Sequence, residues 1–229
     1  MVREVYLADV ALGSGRAKII VPVASAEDVR LALESECDIV EVRADLAPTE
    51  WEELLQAVRG RRPILATVRS ESEGGKCPDA LYEETVTRLL AQGPEAIDVQ
   101  VDHPAAATLV QRAHEVGCKV VGSFHDFAAT PSVEKTCEKF ADASELGADV
   151  CKVALMPRDG KDVLTVLEAL RLTAAEINRP LIGIAMGKVG QLSRLAGPDF
   201  GNCATFAAAG NASAPGQLRV DQLRQIICD

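Results

Sequence analysis

A single lysine, Lys152, stands in the middle of an otherwise apolar segment, GADVCKVALM at 147–156. An ammonium group is costly to bury, so a lysine inside such a segment needs a physical explanation. Burial would lower its pKa from about 10.4 toward the neutral amine, which attacks carbonyl carbons and forms imines. The alternative is a lysine on an edge strand or one paired with a buried acid. The segment alone does not decide between a nucleophile and a structural lysine.

Three further basic residues stand at or near the ends of other apolar segments. Arg43 lies in DIVEVRAD, Arg69 ends PILATVR, and His125 lies in CKVVGSFHD. A cluster of positive charge is costly unless acids or an anionic ligand balance it, and the nearest candidate acids are Glu41 and Glu73. The alternative to a functional site is a network of salt bridges without a catalytic role.

An imine-forming lysine beside a histidine could eliminate water from a hydroxyketone. The imine makes the α-proton acidic, and a leaving group on the β-carbon can then depart. Histidine titrates near neutral pH and could take the α-proton and return one to the leaving hydroxyl. Glu73 could orient that histidine, and arginine forks suit a carboxylate substrate. No cysteine or histidine spacing suggests a metal site.

The surrounding sequence repeats one unit, in which a short apolar strand is followed by a polar loop and a helix-period segment. Strands are predicted at 19–23, 38–45, 63–69, 96–102, 118–126, 147–156, 180–186 and near 200–206. Helices are predicted over 25–34, from 48, over 79–92, 104–116, 132–146, 160–176, 188–196 and 217–227.

Eight such units predict an α/β fold, a closed (β/α)8 TIM barrel that forms a single domain over 1–229. Residues 1–16 predict an N-terminal β-hairpin that caps the barrel. The alternative is an open doubly wound sheet, but no GxGxxG motif follows the first strand.

Strand alternation predicts which side chains face the barrel lumen. The outer face of each strand meets helices and must be apolar, so the polar set faces inward. The predicted inward sets are Glu41 and Arg43; Thr67 and Arg69; Asp98, Gln100 and Asp102; Ser123 and His125; and Lys152. Active sites of this fold lie at the carboxyl ends of the strands, where these residues converge.

Composition narrows the class of protein. The chain has 229 residues, 48% hydrophobic and 25% charged, which is typical of a globular protein, and no apolar run suggests a membrane span. The net charge of −10 argues against nucleic acid or anionic membranes as partners. Seven scattered cysteines without a CxxC pair, and an N-terminus without a secretory segment, predict a cytoplasmic protein with reduced thiols.

Seven motifs, spread over nearly the whole chain, point to one family. They are EVRAD at 41–45, TVRSESEGG at 67–75, SFHDFAATP at 123–131, GADVCKVALMP at 147–157, IAMGKVGQLSR at 184–194, FGNCATF at 200–206 and SAPGQL at 213–218. Together they resemble type I 3-dehydroquinate dehydratases, the Schiff-base enzymes of the shikimate pathway. The resemblance implies dehydration of 3-dehydroquinate to 3-dehydroshikimate for aromatic amino acid biosynthesis, no cofactor or metal, and a homodimer.

The resemblance also implies residue roles. Lys152 would form the imine, His125 would be the general acid/base, and Glu73 would pair with His125. The implied substrate-binding residues are Glu41, Arg43 and Arg69 for the hydroxyls, Arg194 and Gln217 for the carboxylate, Ser213 on a loop that closes over the ligand, and Phe127 and Met186 as apolar walls.

Two positions depart from the family pattern. Gln100 stands where an acidic residue is expected, and Asn202 where a smaller hydroxyl residue is expected. Neither is among the implied catalytic residues, so these departures bear on the surroundings of the site rather than on the reaction.

Two other functions remain open at the level of sequence. Another lysine-imine barrel, such as a class I aldolase, would share Lys152 but would not need a His125–Glu73 pair with the Arg194 and Gln217 clamp. A catalytically silent barrel that binds a metabolite or a protein would not need Lys152 or His125 at all.

Overall fold

Eight apolar segments of the sequence form parallel strands, and these strands pair side by side in one curled sheet. The computed structural model describes residues 3–210, 214 and 216–227. The strands are β1 (Val5–Leu7), β2 (Val10–Leu12), β3 (Lys18–Val23), β4 (Ile39–Arg43), β5 (Ile64–Thr67), β6 (Ala96–Gln100), β7 (Lys119–Asp126), β8 (Val150–Leu155), β9 (Leu181–Ala185), β10 (Ala204–Ala208) and β11 (Leu218–Arg219).

The sheet closes between β9 and β10. Strands β3 to β9 pair in sequence order, and β10 pairs with β3. At the remaining seam, the backbone N–H of Cys203 donates to the Leu181 carbonyl at 2.9 Å. The Asn202 side chain adds two bonds to the backbone of Gly183, accepting at 2.6 Å and donating at 3.0 Å. The predicted (β/α)8 barrel is confirmed.

A helix follows each barrel strand and covers its outer face. The helices are α1 (Ala26–Glu34), α2 (Trp51–Val58), α3 (Tyr82–Ala91), α4 (Ala106–Glu115), α5 (Val133–Glu145), α6 (Gly160–Glu176), α7 (Gln191–Ala196) and α8 (Val220–Ile227). Polar caps fix several helix starts: Ser25 accepts from the N–H of Asp28 at 3.1 Å, and Asp159 accepts from that of Lys161 at 2.8 Å. No helix within these described residues is long and apolar enough to cross a membrane.

The last barrel strand and the final helix both begin later than predicted. The last barrel strand begins at Ala204 rather than near 200, because a 3₁₀ turn ends at Gly201, whose φ of 103° breaks the extended chain. The final helix begins at Val220 rather than 217, because Leu218 and Arg219 pair with β10 as a short strand.

The predicted hairpin caps the amino end of the barrel. Strands β1 and β2 are antiparallel, with Val5 opposite Leu12. Val5, Leu7 and Leu12 are buried in the cluster of apolar side chains that fills this end of the lumen. The inward-facing members of that layer are Ile20, Ile39, Leu65, Ala96, Val121, Val150, Ile182 and Ala204.

The predicted alternation holds along the strands with one exception. Two residues beyond each member of the apolar layer, the inward positions are polar in several strands, as at Glu41, Asp98 and Lys152. Asp102 was predicted to face the lumen, and this is wrong. Strand β6 ends at Gln100, so Asp102 lies beyond it, exposed, in an ion pair with Lys139 of α5 at 2.8 Å.

Candidate active site

Lys152 lies at the centre of β8 with its side chain almost completely buried. Its Nζ is 3.3 Å from an oxygen of Asp98 and 4.7 Å from the ring centre of Phe206. Burial lowers the pKa of Lys152 below its ordinary value, although the Asp98 charge acts in the opposite direction. Lys152 therefore has both the inward position of a nucleophile and the acidic partner of a structural lysine.

Asp98 is the buried acid that joins Lys152 to Arg69. Its Oδ2 is 2.9 Å from Nη2 of Arg69, and its Oδ1 accepts a 2.6 Å hydrogen bond from the Ser123 hydroxyl. Burial favours the protonated acid, but the Arg69 and Lys152 charges outweigh it and hold the pKa of Asp98 below its ordinary value. Alternation placed Asp98 on the inward face, but the sequence analysis named only Glu41 and Glu73 as balancing acids.

His125 and Glu73 form a hydrogen-bonded pair. Nδ1 of His125 is 3.0 Å from Oε2 of Glu73, which is also 3.0 Å from Nη1 of Arg69. Burial, together with the Arg69, Lys152 and Arg43 charges, holds the pKa of His125 well below its ordinary value. Burial raises the pKa of Glu73 to about 7, despite the Arg69 charge. The imidazole is therefore held neutral and can accept a proton.

Glu41 and Arg43 come from the same inward face of β4. The Thr67 hydroxyl donates to Glu41 at 2.8 Å, so this buried carboxylate is fixed by the neighbouring strand. Nε and Nη2 of Arg43 donate to the two oxygens of Asp45 at 2.9 and 2.8 Å. Asp45, which the sequence analysis did not single out, therefore fixes the Arg43 fork.

Arg194, one of the two residues predicted to bind the substrate carboxylate, lies on α7. It is buried, its Nη1 donates to the Phe206 carbonyl at 3.1 Å, and burial lowers its pKa to about 10. Met186 is buried, and Met186 and Gln217 line the same cavity as Arg194. Ser213 lies outside the described residues.

Phe127 and a glycine turn border His125. The Phe127 ring is stacked on the imidazole, with 6.4 Å between ring centres, and it is 42% exposed. Gly74, whose φ is 76°, lies under the same ring: a Cβ on Gly74 would be 2.6 Å from it. A residue without a side chain is required here.

These side chains converge on one cavity of about 280 Å³ at the carboxyl end of the strands, here called the front cavity. The predicted residues that line it are Glu41, Arg43, Arg69, His125, Phe127, Lys152, Met186, Arg194 and Gln217. Glu73 does not line it but contacts two residues that do, His125 and Arg69. Lys76 also lines the front cavity, is exposed, and was missed; its only sequence signal is its place after the Gly74–Gly75 pair.

Gln100 and Asn202, the two residues that depart from the family pattern, form hydrogen bonds with other parts of the barrel. The Gln100 amide donates to the Ser70 hydroxyl at 3.0 Å, beneath the loop that carries Glu73. Asn202 closes the barrel seam through Gly183. Among the residues described, no group of three or more acidic, cysteine or histidine side chains is arranged to hold a metal ion.

Comparison with known proteins connects this geometry to one family. The sequence model of Type I 3-dehydroquinase matches residues 20–228. A 3-dehydroquinate dehydratase of Alkaliphilus oremlandii is 37% identical, with 99% of this chain and 97% of the relative covered. Another, from Listeria monocytogenes, is 36% identical, with 98% and 96% covered.

Solved structures agree with the sequence matches. The crystal structure of type I 3-dehydroquinate dehydratase from Clostridium difficile with covalently modified comenic acid superposes with a TM-score of 0.92 at 32% identity, covering 100% of this chain and 98% of the other. The Geobacillus kaustophilus 3-dehydroquinate dehydratase gives a TM-score of 0.91 at 30% identity, with 99% and 95% covered.

Proposed function

The chain belongs to the type I 3-dehydroquinase family, which dehydrates 3-dehydroquinate in the shikimate pathway through a Schiff base, and we propose that Lys152 and His125 carry that reaction here. One observation supports this assignment above the others. Lys152 and His125 border the same front cavity, and His125 is held by Glu73 at 3.0 Å. A class I aldolase and a silent barrel are set aside by the family match.

In the first step, Lys152 attacks the substrate ketone. Burial favours the neutral amine, whose lone pair forms the C–N bond; the carbinolamine hydroxyl then takes up one proton and leaves as water, and an iminium ion remains. Asp98, 3.3 Å from Nζ, stays ionised and stabilises the positive charge of the iminium. Asp98 thus lies next to both the resting lysine and the charged intermediate.

In the second step, His125 removes the α-proton and the electron pair moves toward the iminium nitrogen. The neutral imidazole accepts the proton on Nε2, while Nδ1 is held by Glu73. His125 then protonates the β-hydroxyl as its C–O bond breaks, and water leaves. Hydrolysis of the product iminium returns the free amine of Lys152.

The remaining side chains would bind the substrate. Arg194 and Gln217 would hold the carboxylate with Ser213 on a covering loop, and Glu41, Arg43 and Arg69 would bind the hydroxyls. Phe127 and Met186 would exclude water from the imine. These roles are implied by the family resemblance, and the shared cavity supports them.

Trapping tests the assignment of Lys152. Borohydride added during turnover of 3-dehydroquinate reduces the imine to a stable amine, which peptide mass mapping locates. We expect one adduct, on the peptide that carries Lys152, and none in Lys152→Ala. An adduct on another lysine, or none at all, would contradict the mechanism.

We also propose that the protein is a cytoplasmic homodimer. The family resemblance supports the dimer, and the free thiol of every described cysteine is consistent with a reducing compartment. Light scattering coupled to size-exclusion chromatography would measure the mass. A monomer at micromolar concentration would contradict the dimer.

A further inference from the structure

A second cavity, here called the rear cavity, borders the catalytic pair from another side. It encloses about 510 Å³, and His125 and Glu73 both line it. Of these two, only His125 also lines the front cavity, whereas Lys152 and Arg69 line the front cavity alone. The imidazole is thus a wall shared by the two cavities, and Glu73 opens onto the rear one.

Polar and apolar side chains both line the rear cavity. Asp79 and Asp102 are exposed at the mouth, and Gln100 is buried at the inner end. His103 lies between them, its Nδ1 accepting from the Ala105 N–H at 3.1 Å. A cavity of this size has room for water, and its carboxylate and imidazole groups offer hydrogen-bond partners to water molecules.

Two polar contacts hold the exposed aspartates that line the rear cavity. The Ser72 hydroxyl donates to Asp79 at 2.9 Å, and Lys139 pairs with Asp102 at 2.8 Å. Nζ of Lys139 also lies 5.0 Å from the ring centre of Phe124, which lines the rear cavity. These contacts orient the rim side chains, and the same cavity extends from this exposed rim to Glu73.

Formation of the iminium ion from the neutral amine takes up one proton and its hydrolysis releases one, whereas the α-proton that His125 removes returns to the leaving hydroxyl. Once the substrate is attached to Lys152, it occupies the front cavity and Nε2 of His125 faces it. The other ring nitrogen, Nδ1, contacts Glu73, which lines only the rear cavity. Glu73 therefore offers a path by which a proton can pass between Nδ1 of His125 and solvent while the substrate occupies the front cavity.

We propose that the rear cavity is a water-filled proton-exchange route that serves His125 through Glu73 while substrate fills the front cavity. The exchange is balanced. The Nδ1–H bond breaks as a proton passes to Glu73, Glu73 gives a proton to a cavity water, and a solvent proton returns by the same path. No oxidant or reductant takes part. Separately, a Glu73 pKa of about 7 keeps both of its protonation states populated near neutral pH.

Nuclear magnetic resonance can test this route, which rests on the proposed function, in the trapped enzyme. The chain has three histidines, so ¹⁵N-histidine labelling gives a small set of ring signals that His125→Ala would assign. The front cavity is first filled by borohydride reduction with 3-dehydroquinate. The rate at which the His125 ring N–H exchanges with water is then measured in the adduct.

Substitutions at the cavity mouth supply the comparison. Asp102→Trp should block the mouth and slow the exchange about tenfold, because it removes water from the path to Glu73. Asp102→Asn is the matched control, which removes the same charge but leaves the path open, and its exchange rate should stay within about twofold of wild type. Pro104→Phe, also at the mouth, replaces Asp102→Trp if that variant does not fold.

The outcomes separate this proposal from the proposed function. Fast exchange in the wild-type adduct that only the bulky variant slows supports the route. Slow exchange in the wild-type adduct, or equal rates in Asp102→Trp and Asp102→Asn, overturns it. Failure to form any adduct on Lys152 would instead overturn the assignment of the imine.

Discussion

The two ends of the barrel lumen are built from the same strands but have opposite chemistry. Along β8, Val150 belongs to the apolar layer under the hairpin, and Lys152, two residues later, is the buried cation of the front cavity. Leu65 of β5 and Arg69, two residues after the end of that strand, show the same change. One end is sealed by packing and the other is organised by ion pairs, so stability and chemistry are assigned to different layers of one fold.

The comparison shows why the charged layer can exist. Burying Lys152, Arg69 and Asp98 without partners would cost several kcal/mol for each charge. The ion pairs between them and the hydroxyl of Ser123 offset that cost, while the apolar layer below excludes water from the floor. The apolar end therefore supplies stability that the charged end does not.

Removing the nucleophile should have the largest effect on activity and little effect on the fold. Lys152→Met keeps the side-chain volume, and Asp98 retains Arg69 and Ser123 as partners, so the barrel should remain folded with no measurable turnover. Product formation can be followed by the ultraviolet absorbance of the conjugated enone, and unfolding by circular dichroism. Turnover by folded Lys152→Met would refute its role.

Removing the acid should weaken catalysis without abolishing it. Asp98→Asn withdraws the charge that lies 3.3 Å from Lys152 and 2.9 Å from Arg69, so we expect turnover to fall about a hundredfold through misplacement and lost iminium stabilisation. Single-turnover kinetics would measure it. Asp102→Asn, at an exposed aspartate, is the control; if both variants behave alike, the central place of Asp98 is wrong.

Shortening a side chain in the apolar layer should lower stability strongly and activity only weakly. Leu65→Ala opens a cavity under the charged layer and should cost about 2–5 kcal/mol in free energy of unfolding. Activity per folded molecule should change much less than in Asp98→Asn. Urea titration and initial rates on the same samples would compare the two. A loss of activity without a loss of stability would contradict the claim that the apolar layer supplies stability and the charged layer supplies chemistry.

Stability and activity should respond to pH in opposite directions through Glu73. Its pKa rises from 4.5 to about 7 on folding, so its contribution to stability is full below pH 4.5 and is lost as the pH rises through about 7. Over the same window, kcat/KM should increase as the carboxylate forms and holds Nδ1–H of His125. Comparing wild type with Glu73→Gln by urea titration and initial rates would show both trends; parallel profiles for the two proteins would contradict them.

The smallest effect is expected at the rim of the front cavity. Lys76 is exposed and carries positive charge into the approach of an anionic substrate to a chain of net charge −10. Lys76→Gln should raise KM about two- to fivefold at low salt and leave kcat unchanged, with the difference lost at high salt. Lys161→Gln, on helix α6, is the matched control. A salt-independent effect would argue for direct contact rather than attraction at a distance.

The fold and much of the charged layer could be predicted from the sequence because both depend on local patterns. Alternation within each strand was enough to turn Arg43, His125 and Lys152 toward one lumen, and Arg69, two residues after the end of β5, lines the same cavity. It failed at Asp102, where the strand had already ended.

Contacts between distant strands could not be predicted in the same way. The sequence separates Lys152 from Asp98 by 54 residues, and only the closed barrel brings them to 3.3 Å. The clamp of Asp45 on Arg43 depends on a turn after β4, and the exposure of Lys76 depends on the loop after β5. The rear cavity lies between elements, so no single segment carries a signal for it.

The proposed roles are imine formation by Lys152 and proton transfer by His125. They are tested most directly by the mass of the trapped adduct in His125→Ala. Lys152 should still form the imine in this variant, while the elimination is blocked. Borohydride should therefore trap undehydrated substrate on the Lys152 peptide, heavier by one water than the product adduct of wild type. A product-mass adduct formed at the wild-type rate would contradict the account.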